Sequence, residues 1–131
     1  MRAISFIVIL FVLVGCSGPR LKFAVANHLS EEITNVEVRL PDTTLFFASV
    51  KPKTKTDWIR VTRAYAYGYM KFKNGHDSEI VFLPVDFTGE KLYKGGYMQF
   101  MLYYPDSSSR SIGTAYSRSP LMRSRVPKDK E

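Results

Sequence analysis

The sequence predicts an all-β protein: about seven antiparallel strands packed as a sandwich of immunoglobulin-like or transthyretin-like kind, with a small closed barrel as the other architecture. Three observations carry this. Apolar residues recur at every second position, as in Leu21, Phe23, Val25 and Val36, Val38, Leu40, with charged residues such as Glu37 and Arg39 between them. That period buries one strand face and leaves the other wet. Turn-forming residues punctuate these runs, and past the leader no run of ten or more residues combines helical apolar spacing with caps, the nearest approach being Leu29 to Asn35.

The elements follow in order. Met1-Arg2 leads into a 12-residue apolar run from Ala3 to Val14, closed by the small residues Gly15-Cys16-Ser17-Gly18. This is the three-part layout of a secretory signal, and it is shorter than the roughly 18 to 20 residues of a spanning helix. Residues 1–15 are therefore expected to be a cleaved N-terminal signal helix. Residues 16–20 form a short tether, 21–104 the sandwich, and 105–131 a basic, Ser-rich, flexible tail.

Within the body, strand runs begin at Leu21 and Val36 and continue at Leu45 to Val50, Trp58 to Val61, Tyr65 to Phe72, Glu79 to Val85 and Tyr97 to Tyr104, all rich in aromatic and β-branched residues. Asn27-His28-Leu29-Ser30, Pro41-Asp42, Lys51-Pro52-Lys53, Asn74-Gly75 and Gly95-Gly96 separate them as turns. Asn74-Gly75 predicts a hairpin between Tyr65–Lys73 and Glu79–Asp86. Pro84 marks an edge strand or a bulge. The last run is apolar on both faces, which predicts a central strand.

Composition supports one folded domain with one core: 45% of the 131 residues are hydrophobic and 24% charged. Lys and Arg outnumber Asp and Glu by 19 to 12, so the surface favours anionic partners. The tail carries Arg110, Arg118, Arg123, Arg125, Lys128 and Lys130 against Asp106, Asp129 and Glu131, and its seven serines and three prolines predict disorder. Lys51, Lys53 and Lys55 form a basic loop. Together with Arg118, Arg123 and Arg125 they are the candidate contacts to an anionic surface, lipid headgroups or an envelope polymer.

Catalytic patterns are missing from the sequence. His28 and His76 fall in turns without metal-ligand spacing, Asn74, Asp77 and Glu79 lack the remaining ligands of a calcium loop, and Ser107-Ser108-Ser109 has no nearby base. No enzyme activity and no cofactor are expected. The candidate partner-binding feature is Tyr65, Tyr67, Tyr69, Lys71 and Lys73, on one face of a single predicted strand whose other face is Ala64, Ala66, Gly68, Met70 and Phe72. A tyrosine row of this kind stacks on sugar rings or grips a protein, because tyrosine joins a large apolar ring to a polar tip.

Leu13-Val14-Gly15-Cys16 resembles the lipobox of bacterial lipoproteins at all four positions. That resemblance implies cleavage before Cys16, attachment of diacylglycerol to its sulfur and acylation of the new amino terminus. Ser17, in place of Asp, implies the outer membrane of a Gram-negative cell, periplasmic face, in preference to the inner membrane. The implied partner is membrane lipid through acylated Cys16, with an envelope membrane protein or anionic envelope polymer as a second partner and no nucleic acid. As Cys16 is the one cysteine of the chain, lipidation leaves no intramolecular disulfide. The body, over 23 to 103, is similar to small uncharacterised envelope sandwich domains through Asn27, Ser30, Ile33, Asn35-Val36, Val38, Phe46 or Phe47, Val50, Pro52, Asp86, Gly89, Leu92 and Gly95-Gly96-Tyr97; these are strand and turn positions and bring no functional residues.

The expectation is thus a lipid-anchored, non-catalytic binding or structural accessory module at the periplasmic membrane surface. An inhibitor of, or defence factor against, an envelope-attacking enzyme is the alternative, and its basic charge disfavours it against basic lysozymes.

Overall fold

A computed structural model describes residues 18, 20–84, 91–106, 108 and 110–122. The signal, Cys16, Ser17, Asp86, Gly89, Arg123 and Arg125 lie outside the described residues. The described chain is all-β, in chain order β1 (Arg20–Asn27), β2 (Ile33–Arg39), β3 (Thr44–Val50), β4 (Thr54–Lys55), β5 (Ile59–Val61), β6 (Ala64–Tyr65), β7 (Tyr69–Lys73), β8 (Glu79–Phe82), β9 (Leu92–Tyr93), β10 (Gly95–Tyr103) and β11 (Gly113–Ser117).

Two sheets face each other across the core. In the first, β10 lies between β11 and β1, and the other edge of β1 pairs with β4 and β5. The second runs β3-β2-β7-β8, and β6 and β9 make a separate ribbon. From the first sheet Phe23, Val25, Met98, Phe100 and Leu102 enter the core, and from the second Val36, Val38, Met70 and Phe72. Phe23 and Phe100 meet edge to face at 4.8 Å between ring centres, the arrangement aromatic quadrupoles favour.

Several expectations are met. β10 is central, as its apolar faces require, with every residue from Met98 to Leu102 buried. β8 is an edge strand, and Pro84 stands two residues past its end, where the missing N–H costs no ladder bond. β7 and β8 form the expected hairpin, over Tyr69–Lys73 and Glu79–Phe82. Its turn works through the Asn74 side chain, whose Oδ1 accepts from the His76 and Ser78 amides at 3.0 Å each. The left-handed residue is Asp77, at φ 60°.

Four features depart from the sequence reading. The first sheet is mixed, because β1 and β10 run parallel in register from Arg20 opposite Gly95 to Asn27 opposite Leu102. The Tyr65 to Phe72 run is not one strand: β6 and β7 belong to different sheets and 66–68 bend between them. The tail does not begin at 105, since Gly113–Ser117 pairs antiparallel with β10 from Tyr103 back to Gln99. Finally, Leu29 is wholly buried beside a bend and Ile33 opens β2, so the segment from Leu29 to Asn35 is bend and strand.

The end of this β11 segment is tied down as well. The buried Gln99 side chain donates from Nε2 to the Ser119 and Leu121 carbonyls at 3.0 and 2.9 Å. A seryl, prolyl stretch that composition marks as disordered thereby borrows order from a strand distant in sequence.

Candidate partner-binding site

The bend at 66–68 changes what the tyrosine row is. Tyr65, Tyr67 and Tyr69 no longer point from one ladder but surround a single pocket of about 200 Å³, together with Arg39, Leu40 and Pro84. Gly68 passes close to the core at this bend, where a Cβ would lie 3.2 Å from the Phe100 ring. Tyr67, 49% exposed, also walls a neighbouring apolar cleft of about 290 Å³ lined by Met70, Phe82, Leu83, Pro84 and Phe100. Leu83 stands 66% exposed at its mouth.

The tyrosines are held in place. Tyr67 packs edge to face on Tyr116 at 5.6 Å, and the Tyr116 and Tyr93 hydroxyls are 3.5 Å apart. That hydroxyl contact, aided by burial, raises the Tyr116 pKa above its ordinary value. The Arg39 guanidinium stacks over Tyr69 at 4.1 Å. The site is therefore rigid aromatic surface with a cation at its rim, suited to flat apolar or sugar-like faces.

Lys71 and Lys73 lie apart from the pocket, on the outer face of the second sheet, and both have acidic partners. Glu37 bridges Arg39 at 2.7 Å and Lys71 at 3.4 Å, and Lys73 meets Asp77 at 3.1 Å. The hydrogen bond from Arg39, with Lys71 adding to it, holds the Glu37 carboxyl below the usual carboxylate range. Phe46, 73% exposed, stands on this face opposite Glu37, and Phe47 packs against the core.

The basic loop is at the far end of the molecule from the tether. Thr54 pairs with Asn27, so Lys51 and Lys53 sit beside the end of β1, which spans ~23 Å from Arg20 at about 3.3 Å per residue. Lys53 adopts φ 57° and donates to the His28 carbonyl. The Lys55 ammonium rests over Trp58, 4.5 Å from the ring centre. Arg118 donates to the Gly95 carbonyl and stacks on Tyr93 at 4.3 Å.

A second basic cluster, which the sequence reading did not single out, lies where the tether joins. Gly18, Arg20, Lys22 and Arg60 surround one recess. Lys22 and Arg60 are directly opposite on paired strands, a relation invisible until β5 is known to pair with β1. The signal available was the outward phase of Arg20 and Lys22 in an alternating strand. Among the described residues no three His, Cys, Asp or Glu side chains gather as a metal site.

No protein-family model and no curated protein matches the sequence. Among solved structures, an NMR structure of a protein from Eubacterium rectale is similar, with a TM-score of 0.54 over 79% of this chain and 94% of that one, at 8% identity. At that identity the likeness shows the fold alone, an all-β domain.

Proposed function

We propose that this chain is a lipid-anchored envelope protein, acylated at Cys16, that acts without catalysis by binding a partner through the tyrosine pocket at Tyr65, Tyr67 and Tyr69. The carrying observation is the lipobox-like Leu13-Val14-Gly15-Cys16 ending four residues before β1 begins at Arg20. At about 3.3 to 3.6 Å per residue, that spacing holds the sandwich less than ~20 Å from the lipid. Two acyl chains on the sulfur and one on the amine exceed the two-signal requirement for stable anchoring. In a Gram-negative host, Ser17 after Cys16 favours the outer membrane, periplasmic face. Rigid tyrosines around a small apolar pocket support recognition, because their area is presented at little entropic cost.

Mass spectrometry of the mature N-terminal peptide from host membranes tests the anchor: diacylglyceryl-Cys16 is expected, and a free Cys16 thiol in an unprocessed chain overturns it. A photo-crosslinking residue at Tyr67 tests the pocket. One discrete adduct in host envelopes, absent when the same residue replaces Thr44 on the far edge strand, is expected. Identical patterns from both positions overturn the pocket as the contact.

A further inference from the structure

We propose that the open end of the first sheet's outer face, where Arg20, Lys22 and Arg60 adjoin Trp58, lies against the anionic headgroups of the bilayer; this rests on the lipid-anchor reading above. In β1 Arg20 and Lys22 face away from the core, and in β5 the corresponding residue is Arg60, opposite Lys22; Ala24 and Ala26, farther along the same side of β1, are buried, so the open part of this face is the end at Arg20. Arg20 and Arg60 are exposed. The face also carries aromatic rings. Trp58 and Tyr97 meet edge to face at 5.0 Å, Lys22 lies over Tyr97 at 5.2 Å and Lys55 over Trp58 at 4.5 Å. A stripe of Trp and Tyr flanked by Lys and Arg matches the chemistry of a membrane interface, where amphipathic rings sit at headgroup level and cations meet lipid phosphate.

Two further observations choose the bilayer as occupant. The recess at the start of β1 is formed by Gly18, Arg20, Lys22 and Arg60, three cations and no acid, and Gly18 stands two residues after the cysteine that enters the membrane. Glu31, Asp77, Glu79 and Asp106 lie toward the opposite end of the molecule, where Lys51 and Lys53 also lie: Glu31 bonds Tyr104 and the Gly75 amide, and Asp106 follows the end of β10; beside Trp58 in the chain stands one acid, the exposed Asp57. In addition, Lys22 and Arg60 face each other with like charge, an arrangement that destabilises an isolated sheet and that an intervening phosphate relieves. The tether therefore emerges beside this cationic recess, and the contacts of Lys22 with Tyr97, Tyr97 with Trp58 and Trp58 with Lys55 continue from it.

Trp58 is the one tryptophan of the chain, so its fluorescence reports this face without engineering. The acylated protein, purified from membranes, is placed in vesicles of phosphatidylcholine alone or with one third phosphatidylglycerol, each with brominated-chain lipid. In the anionic vesicles Trp58 is expected to be quenched by the brominated lipid and shielded from aqueous acrylamide. In neutral vesicles, or in 0.5 M salt, the order should reverse. Arg60→Glu, which pairs Lys22 with an acid, should raise the thermal midpoint while weakening the headgroup-bound state about 25-fold, at roughly fivefold per unit of charge. Equal acrylamide access in both vesicle types, with the protein co-floating, overturns the proposal but leaves the anchor intact. Failure to float on neutral vesicles, with no acyl mass on Cys16, overturns the anchor, and the same protein then supports the face only if Trp58 is quenched on anionic vesicles and overturns it otherwise.

Discussion

The side-chain amide of Asn27 donates to the carbonyl of Val50 at 3.0 Å and so ties the end of β1, in one sheet, to the end of β3, in the other. The same nitrogen donates to the Glu31 carbonyl at 2.8 Å, and Oδ1 accepts from the Leu29 amide at 2.9 Å. Asn27 is wholly buried, so each of these groups would otherwise lack water.

Asn27→Ala removes three hydrogen bonds at about 1 kcal/mol each, and a loss of about 3 kcal/mol is expected in urea unfolding. Asn27→Asp should be at least as damaging once the carboxyl ionises, because an anionic oxygen then faces two carbonyls. A variant as stable as the parent would remove Asn27 from its role as the clamp between sheets.

Asn35 occupies the left-handed region at φ 49°, inside β2, where the register with β7 shifts between Thr34 and Glu37. Some bulges place one residue in the left-handed conformation, and asparagine tolerates it better than branched residues do. Asn35→Val should lose about 1 to 2 kcal/mol, and Asn35→Gly should stay within about 1 kcal/mol of the parent. Equal stability of the Val and Gly variants would contradict the bulge.

His28 has its pKa lowered by burial and, secondarily, by the Lys53 ammonium. Its Nε2 is buried without a hydrogen-bond partner. The folded state thus prefers the neutral ring, and the unfolded chain binds the proton first. Stability from this group is complete above the ordinary histidine value, about 6.5, and is lost as pH falls below it toward the depressed folded pKa. Urea midpoints of the parent should fall between pH 7 and 5 more steeply than those of His28→Gln, with Lys53→Met intermediate. Parallel profiles for the three proteins would exclude His28 as the source.

Gln99 holds the segment after β11 through Ser119 and Leu121. Gln99→Leu should expose the Arg118 bond to trypsin, shortening its half-life several-fold. Global stability should shift by only about 1 to 2 kcal/mol, since the orphaned Gln99 Oε1 disappears with the lost donors. Unchanged cleavage at Arg118 would show that β11 itself, and not Gln99, orders this segment.

The same residues show where sequence was informative. Alternation in Val36 to Leu40 is local, since side chains of one strand need only one wet and one dry face, and with the run at Leu21 it specified an all-β sandwich without knowledge of pairing; β1 itself keeps a wet face only at its start, because every residue from Phe23 to Asn27 is buried. The two-faced apolar run of β10 likewise marked a central strand, and Pro84 an edge. Asn74-Gly75 located a turn but not its mechanism. The Glu31 side chain lies against Gly75 and its Oε2 accepts from the Gly75 amide at 3.2 Å, and the left-handed residue is Asp77.

Partner choice belonged to the three-dimensional fold. The parallel match of β1 with β10 joins segments more than seventy residues apart, and no period within either strand distinguishes a parallel neighbour from an antiparallel one. The break at 66–68, which turns a tyrosine row into a tyrosine pocket, follows from β6 and β7 finding partners in different sheets. Gly113–Ser117 is polar and serine-flanked, and becomes a strand because β10 offers it a free edge. The basic face around Trp58 has the same origin. Alternation told which way Lys22 points, and only the pairing of β5 with β1 set Arg60 opposite it, because contacts across strands are decided by long-range burial and not by the local pattern.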